Sequence, residues 1–436
     1  MTCACVSNIS NNRRAVIVAG LRTPFVKAGT LYRDLCTVDL AKILVAELIS
    51  RNDLNNKVID SVIFGQVIQH PSVFNIAREI VFGIGLPSEI EAFSVSRACA
   101  TSTQALVSAA QAIMLGMADV VICGGADSLS KPPITFSDNF SRSLMQMASA
   151  KTPAGKAKSL IKLRPRDFLP VPPAIKEATT GLTMGESAEK MAKENEISRE
   201  EQDAFALKSH ENAAHAWELG IYANEVMSFP VPPKYSHVAD RDNLVRGDTN
   251  MAKMASLKPA FDKRYGTITP GNSSALTDGA SALIVMSEQR AHELGYDPLA
   301  RVHAWAFAGV DPHWQLLAAP PIAAAQALKC ARLKLDDIDL IDMHEAFAAQ
   351  VLSNIKAMSS VEFARQFLNR DEPIGEVNMA KLNIYGGSIA IGHPFAATGV
   401  RQVITMANEL ARRGSGKALI TQCTAGSMGA ALIIER

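Results

Sequence analysis

The chain has 436 residues, of which 48% are hydrophobic and 20% charged, and its formal net charge at pH 7 is +1. This length is roughly two to three times that of an ordinary domain, so the sequence predicts at least two cores or one large layered assembly. The composition is that of a globular protein and excludes a disordered or fibrous chain. The near-neutral charge provides no global field for nucleic acid, and we expect no nucleic-acid partner.

The cysteines and the apolar runs indicate in which compartment the protein lies. Seven cysteines are spread along the chain without the dense spacing of a disulfide framework and without a CxxC pair suited to zinc. No apolar run approaches the length of about 20 residues that crosses a bilayer. We therefore expect a cytoplasmic protein. Cys3 and Cys5, in a polar N-terminal stretch, are assigned no role.

The first third of the chain alternates between predicted strands and helices. Short β-branched apolar runs predict strands, and apolar residues at helical spacing predict helices. The predicted elements are strands at 14–19, 62–68, 93–95 and 119–123, the last ending at Gly124 and Gly125, and helices at 38–49 and 103–117. This alternation favours α/β layering.

Prolines recur in the middle of the chain, between residues 129 and 267. We interpret this part as an inserted loop domain. Within it, Ser198 followed by Glu201 predicts a capping box at the start of a helix that runs to about Leu219.

The last third repeats the pattern of the first, which predicts a duplicated α/β unit. It has a strand at 340–343, a glycine turn at Gly386 and Gly387, a helix at 400–412 and a strand at 418–422. We predict three domains from these features. The first domain comprises 1–130 with 266–297, the loop domain 131–265, and the second domain 298–436.

Cys99 is the first candidate for chemistry. It lies in the polar, small-residue stretch 96–104, which follows a predicted strand and opens a predicted helix. A thiol there faces the free N–H groups of the helix start, which stabilise a thiolate and make a cysteine nucleophilic. The alternative is a small buried hydrophobic side chain, which is the commoner role of a cysteine.

Three further candidates lie at predicted turns and strand ends. His393 stands between Gly392 and Pro394, and an imidazole held there can exchange a proton with a thiol, although an isolated histidine is more often structural. Cys423 ends one strand and His344 ends another. Two cysteines and two histidines at equivalent ends of two repeated units predict one site where the units meet.

With these motifs, nearly the whole chain resembles the thiolase family. The resemblance implies a duplicated α/β thiolase fold with five layers, αβαβα, and an inserted loop domain. It implies that Cys99 is the acyl-accepting nucleophile, His393 the base and Cys423 a second acid or base. His344 and His393 would donate to an acetyl-CoA enolate, and the backbone N–H groups of Cys99 and Ala425 would form an oxyanion hole. No metal or resident cofactor is implied, because coenzyme A (CoA) is a substrate.

Four residues correspond to stretches that bind CoA in this family. Ser274 would border the pantetheine arm, while Met184 and Phe347 would line the tunnel and the site. Arg246 falls where family members hold the nucleotide end, and a guanidinium suits phosphate. The resemblance therefore implies 3-ketoacyl-CoA and CoA as ligands and the last step of fatty-acid β-oxidation as the reaction.

Two departures from the family pattern point to a subgroup. His344 replaces the usual asparagine, and Ala425 replaces a glycine. Both changes resemble the β-subunits of bacterial fatty-acid oxidation complexes. This likeness implies a homodimer core inside a heterotetramer with two α-subunits, which carry hydratase and 3-hydroxyacyl-CoA dehydrogenase activities.

The segment 142–166 contains seven lysines or arginines and no acidic residue. Such a run is usually a solvated face. Here leucine, isoleucine and methionine residues interleave with the cations, so a helix could present an apolar strip to the partner subunit or to an anionic membrane surface.

Two other functions compete with thiolysis. A β-ketoacyl synthase also combines a cysteine with two histidines, which His344 favours, but such enzymes lack a second thiol like Cys423. A catalytically silent subunit that only binds acyl-CoA is the other alternative, and the presence of Cys99, His393 and Cys423 argues against it.

Overall fold

Hydrogen-bonded strands form the framework of residues 13–161, 163–171 and 176–436, which the computed structural model describes. Cys3, Cys5 and Lys162 lie outside these residues. The strands are β1 Ala15–Arg22, β2 Val26–Lys27, β3 Ser61–Gly65, β4 Glu91–Val95, β5 Val120–Asp127, β6 Phe229–Pro230, β7 Val238–Ala239, β8 Thr277–Ser287, β9 Ala300–Gly309, β10 Leu340–Met343, β11 Lys417–Thr424 and β12 Met428–Glu435.

Helices connect and cover these strands. They are α1 Thr37–Arg51, α2 Ile76–Gly83, α3 Thr101–Met114, α4 Asp138–Ser149, α5 Pro153–Leu160, α6 Met184–Glu194, α7 Arg199–Glu218, α8 Met251–Ala255, α9 Glu288–Glu293, α10 Pro320–Ala331, α11 Ala348–Ser359, α12 Val361–Phe363, α13 Ser388–Ile391 and α14 Thr398–Arg413. Among the described residues, none of the helices has the length and apolar character that spanning a bilayer requires.

The main sheet consists of two halves with similar strand patterns. Its order is β10-β11-β12-β9-β1-β8-β5-β3-β4, with β2 paired to β8. In the first half, β4, β3 and β5 pair in parallel, and β8 and β1 continue the sheet in antiparallel pairing. In the second half, β10 and β11 pair in parallel, and β12 and β9 continue the sheet in antiparallel pairing. Only two residue pairs, Val16 with Arg301 and Ile17 with Ala300, join the halves through β1 and β9. The repeated pattern supports the predicted duplication.

Helices cover both faces of each half-sheet, and the side chains alternate accordingly. Val62 and Phe64 of β3 pack with α1 and α2, whereas Ile63 between them packs with α3 and α14. In β12, Leu432 faces α3 and α14, and Ile433 faces α10 and α11. Strands buried on both faces read as continuous apolar runs. The resulting order of helices, half-sheet, central helices, half-sheet and helices confirms the five-layered fold.

The strand predicted at 119–123 is longer than expected. The prediction that it ends before Gly124 and Gly125 is wrong, because β5 continues through both glycines. A Cβ atom on Gly125 would lie 2.3 Å from the backbone oxygen of Ala396. Gly125 therefore does not form a turn. Because it has no side chain, the backbone at Ala396 can pack closely against β5.

The inserted segment supplies α4 to α8 and the small ribbon of β6 and β7. Before α7, the Ser198 hydroxyl accepts from the Glu201 backbone N–H at 3.2 Å, and the Glu201 carboxylate accepts from the Ser198 N–H at 2.7 Å. This confirms the predicted capping box. Helix α6 packs on α11, and α7 packs on α13, so the segment contacts the second half of the fold.

The chain returns from the inserted segment to the first half-sheet, where β8 lies between β1 and β5. This return supports our proposal that 266–297 belongs to the same domain as 1–130. The weak β1–β9 junction supports placing the second domain at 298–436.

A buried arginine joins β1 to the inserted segment. The Arg22 guanidinium donates to both carboxylate oxygens of Asp242, at 2.7 and 2.9 Å, and to Glu225 at 3.1 Å. All three side chains are at most 1% exposed. Burial by itself would lower the pKa of Arg22, but the two carboxylates outweigh it and hold this pKa above its ordinary value. The bidentate geometry compensates for the desolvation of the charges.

We predict that Arg22→Ala lowers the free energy of unfolding by about 3–5 kcal/mol, because two buried carboxylates lose their partner. The matched control is Arg51→Ala, which removes an exposed pair with Glu47 worth about 0.3–0.5 kcal/mol. Urea unfolding followed by circular dichroism measures both changes. Equal effects of the two substitutions would show that the buried cluster contributes no special stability.

Candidate functional site

Cys99 lies in a tight turn between β4 and α3. The preceding Ala98 has a positive φ of 44°. The Thr101 hydroxyl donates to the backbone oxygen of Ala98 at 2.7 Å and accepts from the Arg97 N–H at 2.8 Å. The turn runs directly into α3, with Cys99 two residues before its first residue, and holds the thiol at the carboxyl end of the first half-sheet.

His393 comes from the second half of the chain and lies against this thiol. Its Nε2 is 3.2 Å from the Cys99 sulfur, and its Nδ1 is 2.6 Å from the Thr398 hydroxyl at the start of α14. The Thr277 hydroxyl accepts from the His393 backbone N–H at 3.1 Å. When Nδ1 carries the proton and donates to Thr398, Nε2 is free to accept the thiol proton.

His344, at the end of β10, is the second imidazole of the pocket. Its ring centroid is 4.2 Å from that of His393. Its Nδ1 lies 2.9 Å from the Ser388 hydroxyl, while its Nε2 is buried and has no hydrogen-bond partner in the described part of the chain. The ligand atoms of Cys99, His344 and His393 all lie within 4.8 Å of one another. The structure therefore brings three of the four predicted catalytic residues into direct proximity.

A buried ion pair contacts the Ser388 hydroxyl that holds His344. Arg401 donates to Asp342 at 3.1 Å and to the Ser388 hydroxyl at 3.5 Å. Because an arginine can only donate, the hydroxyl accepts from it and can direct its own proton to Nδ1 of His344. This arrangement leaves Nε2–H of His344 as a donor that faces the pocket.

Cys423, at the end of β11, is the fourth predicted residue and lies in the same pocket. It is buried in an apolar cluster with Ala346 and Phe347. Burial, followed by the neighbouring Cys99, raises the pKa of the Cys423 thiol well above its ordinary value. The backbone N–H groups of Ala425 and Cys99 lie near enough to the Cys99 sulfur to act on the pKa of its thiol.

The resting thiol and imidazole are both neutral. Burial raises the pKa of Cys99 to about 12, against the opposing effect of the backbone N–H groups of Ala425 and Cys99. Burial, followed by the charge of Arg401, lowers the pKa of His393 to about 3. The expectation that the helix start stabilises a resting thiolate is therefore wrong, because desolvation outweighs the N–H groups. In this neutral pair the Cys99 thiol keeps the proton that Nε2 of His393 is placed to accept.

The predicted CoA-binding residues divide into two groups. Met184 and Phe347 pack in the apolar cluster around Cys423, and the Ser274 backbone N–H donates to the oxygen of Ala346 beside them, at 3.0 Å. Arg246 instead lies beside α7, where its backbone N–H donates to His210. Met184, Phe347 and Ser274 therefore lie beside Cys423. Arg246 lies in a separate part of the inserted segment.

Glu345, to which the sequence motifs assigned no role, connects the inserted segment to both histidine-bearing segments. Its buried carboxylate accepts from the hydroxyl of Ser209 at 2.7 Å, from the amide of Asn383 at 2.6 Å and from the backbone N–H of Ile389 at 3.1 Å. Burial raises the pKa of Glu345 to about 7. An acidic residue next to a strand of apolar residues was the available signal.

Asp127, at the end of β5, was also missed. Its carboxylate accepts from the backbone N–H groups of Val67, Ile68 and Ala396 at 2.8 to 3.0 Å. Burial raises the pKa of Asp127 to about 7. This residue fastens the segment after His393 to the first half-sheet and so fixes the distance between the histidine and the thiol.

Comparisons with known proteins agree with this fold. Residues 15–289 match the family model of the thiolase N-terminal domain, and residues 296–436 match that of the thiolase C-terminal domain. A 3-ketoacyl-CoA thiolase of Yersinia pestis (strain Pestoides F) is 50% identical over 422 residues, which cover 97% of each chain.

Solved structures of similar proteins superpose over nearly the whole chain. An acetyl-CoA acetyltransferase of Bacillus anthracis has a TM-score of 0.85 at 31% identity and covers 98% of this chain and 99% of its own. Human mitochondrial 3-ketoacyl-CoA thiolase in complex with CoA has a TM-score of 0.80 at 30% identity, with coverage of 97% and 98%.

The fold and the paired thiol and imidazole define the class of the protein as an acyltransferase. Within that class, the chain belongs to the thiolase family.

We predict that His344→Asn retains activity, because an amide N–H can still donate into the pocket where Nε2 lies. His344→Ala removes the donor, and loss of such a donor lowers kcat by roughly 100-fold or more. Steady-state thiolysis of acetoacetyl-CoA measures both variants. If asparagine and alanine proved equally active, no donor would be needed at this position, and His344 would not belong to the catalytic group.

Proposed function

We propose that this chain is a 3-ketoacyl-CoA thiolase that performs the last step of fatty-acid β-oxidation. It cleaves 3-ketoacyl-CoA with CoA to acetyl-CoA and an acyl-CoA shortened by two carbons. The observation that carries this proposal is the 3.2 Å contact between Cys99 and His393, with the second thiol of Cys423 in the same pocket. The 50% identity to a 3-ketoacyl-CoA thiolase over nearly the whole chain supports it.

The first half-reaction transfers an acyl group to the enzyme. The Cys99 thiol gives its proton to Nε2 of His393, and its sulfur attacks the 3-keto carbon. The backbone N–H groups of Cys99 and Ala425 stabilise the tetrahedral oxyanion. Cleavage of the carbon–carbon bond leaves the electron pair on an acetyl-CoA enolate, whose oxygen accepts from His344 and His393. Cys423 protonates the enolate carbon, and acetyl-CoA leaves.

The second half-reaction restores both thiols. CoA returns a proton to the Cys423 thiolate, and the CoA sulfur attacks the acyl group on Cys99. The Cys99 thiolate departs and recovers its proton from His393. Each proton is accounted for by these side chains, so the proposed chemistry requires no metal or resident cofactor.

The residues that would bind CoA follow the same proposal. Met184 and Phe347 form an apolar wall beside Cys423, next to which the thioester and the pantetheine arm would lie together with Ser274. Arg246 would meet the phosphates at the outer end. The human relative solved with CoA supports CoA as a ligand of this fold.

A β-ketoacyl synthase is the competing enzymatic function, because His344 and His393 supply two imidazoles. The position of Cys423 inside the pocket favours thiolysis, since it supplies the acid and base for the enolate carbon. A silent acyl-CoA-binding subunit is disfavoured by the hydrogen-bonded Cys99–His393 pair. Thiolysis of acetoacetyl-CoA and 3-ketohexadecanoyl-CoA by the purified chain distinguishes the three functions.

We predict that Cys99→Ser abolishes thiolysis and labelling by a short-chain acyl-CoA, because a hydroxyl is a far poorer nucleophile near neutral pH. Cys423→Ala is the matched substitution of the second thiol. It is expected to accept the acyl group on Cys99 but to lose exchange of the acetyl-CoA α-proton. Mass spectrometry locates the acyl group, and deuterium exchange reports the proton. An acyl group trapped on Cys423 instead would reverse the two roles.

The subunit assembly is a further part of the proposal. Two copies of this chain form a homodimer core, which two α-subunits with hydratase and 3-hydroxyacyl-CoA dehydrogenase activities complete to a heterotetramer. The protein is cytoplasmic, on the sequence grounds given above. The support for the assembly is the sequence likeness carried by His344 and Ala425, together with the basic segment 142–166, whose described cations are exposed.

The basic segment forms two helices rather than the single helix expected. Helix α4 ends at Ser149, and Pro153 occupies the first turn of α5 after the Thr152 cap. The two helices pack on each other and leave Met145 and Ile161 exposed at 74% and 78%. An apolar ridge flanked by cations would suit an α-subunit surface or an anionic membrane.

We predict that charge reversal in this segment weakens association without loss of thiolysis by the isolated chain, since the segment lies outside the Cys99 pocket. The variant replaces four cations by glutamate, at Lys156, Lys158, Lys162 and Arg164. Co-purification with the α-subunit and flotation with anionic vesicles measure association.

The control for this experiment reverses four exposed cations elsewhere, at Lys57, Lys208, Lys234 and Lys329. It should leave both associations intact. If neither variant weakened association, the segment 142–166 would be an ordinary solvated face.

A further inference from the structure

The pocket around Cys99 has the donor set of a metal site. Zinc is bound in proteins by cysteine sulfur at about 2.3 Å and histidine nitrogen at about 2.0–2.1 Å. Ligand atoms of a tetrahedral zinc site are therefore separated by roughly 3.3–3.6 Å. The Cys99 sulfur is 3.2 Å from Nε2 of His393, and the ligand atoms of Cys99, His344 and His393 lie within 4.8 Å of one another. Binding of an ion therefore requires the more widely separated of these atoms to move closer together.

The unpartnered nitrogen of His344 points to a ligand in this pocket. His344 is 1% exposed, and its Nε2 has no hydrogen-bond partner among the described residues. A buried polar atom without a partner is costly, and in a native site it indicates an ion, a water molecule or a substrate group. The thioester oxygen of a substrate satisfies this nitrogen during the reaction, and a metal ion can do so in its absence.

Hydroxyl groups behind both imidazoles complete the arrangement. Ser388 lies 2.9 Å from Nδ1 of His344, and Thr398 lies 2.6 Å from Nδ1 of His393. Histidine ligands of a metal usually donate their other N–H to an oxygen atom, which fixes the ring and its tautomer. To bind a cation, His344 takes the tautomer opposite to the one that donates from Nε2: its Nδ1–H then donates to Ser388, as Nδ1–H of His393 donates to Thr398. Each Nε2 then presents its lone pair to the cation.

We propose that this pocket binds one zinc-class divalent cation through the Cys99 sulfur and Nε2 of His344 and His393, and that the bound ion inhibits the enzyme reversibly. On binding, Cys99 releases its thiol proton to solvent, both imidazoles remain neutral, and water occupies the fourth position. The metal–sulfur bond takes the electron pair that attacks the substrate, so acylation of Cys99 is blocked. The inhibitory consequence rests on the proposed function, whereas the binding site rests on the geometry alone.

His344 restricts this inference to chains that carry a histidine at this position. With the asparagine that is commoner at this position, only the thiol and one imidazole would remain, and an amide is a poor ligand for zinc. The residue that replaces asparagine therefore adds metal affinity to a pocket whose chemistry an amide could also serve.

Binding is tested with Co²⁺, which takes the same ligands and gives a thiolate-to-metal charge-transfer absorption. Titration of the full-length chain should give this absorption at one ion per chain. Cys99→Ala should abolish it. His344→Asn should weaken binding by at least about tenfold, the lower range seen even for loss of an outer hydrogen-bond partner. Cys36→Ser, which removes a free thiol outside the pocket, is the control and should bind as the unmodified chain does.

Inhibition is tested with Zn²⁺ in the thiolysis assay, with each variant compared with its own rate before metal is added. The inhibition constant of His344→Asn should rise by at least about tenfold, and a chelator should restore the activity of the unmodified chain. Equal inhibition of both forms, irreversible loss of activity, or absorption that survives Cys99→Ala would overturn the proposal. A chain that binds Co²⁺ at Cys99 but does not cleave 3-ketoacyl-CoA would instead contradict the proposed function.

Discussion

The contact between the Cys99 thiol and the His393 imidazole is the constraint on which the rest of the structure depends. The two residues are separated by 294 positions in the chain, yet their reacting atoms lie 3.2 Å apart. No local structure can hold such a distance. It is maintained because α3 and α14, which follow the two residues, pack together in the central layer between the half-sheets.

Buried polar contacts fix this distance more closely than apolar packing does. Asp127 holds the segment after His393 by the backbone N–H of Ala396, and Thr277 holds His393 itself. Gly125 lets the Ala396 backbone approach β5, where a Cβ atom would collide with it. Hydrogen bonds are directional and side-chain packing is less so, which explains why carboxylates and hydroxyls surround a pocket that is otherwise apolar.

Burial also determines the electrostatic state of the pocket. It raises the pKa of Cys99 to about 12 and lowers that of His393 to about 3, so charge is absent from the resting pair. The same neutral thiol and imidazoles can accept a substrate or, in our proposal, a metal ion. In a low-dielectric pocket each hydrogen bond to a developing oxyanion is stronger than in water, which offsets the energetic cost of charging the thiol. Glu345 links this pocket to the inserted segment through Ser209.

The sequence by itself determined the fold class, the order of the elements and the identities of the four central side chains. The α/β alternation depends on periodicity and the four side chains on short local motifs, whereas the five-layered fold was implied by the family resemblance that those motifs carry. Only the tertiary structure decided that β5 runs through Gly124, that the resting thiol is neutral, and that Glu345 and Asp127 brace the site. Each of these depends on atoms distant in the chain: a backbone that approaches a glycine, the burial that desolvates a thiol, and N–H groups that converge on a carboxylate. Sequence periodicity carries no information about such long-range contacts, because they arise only when the two halves pack.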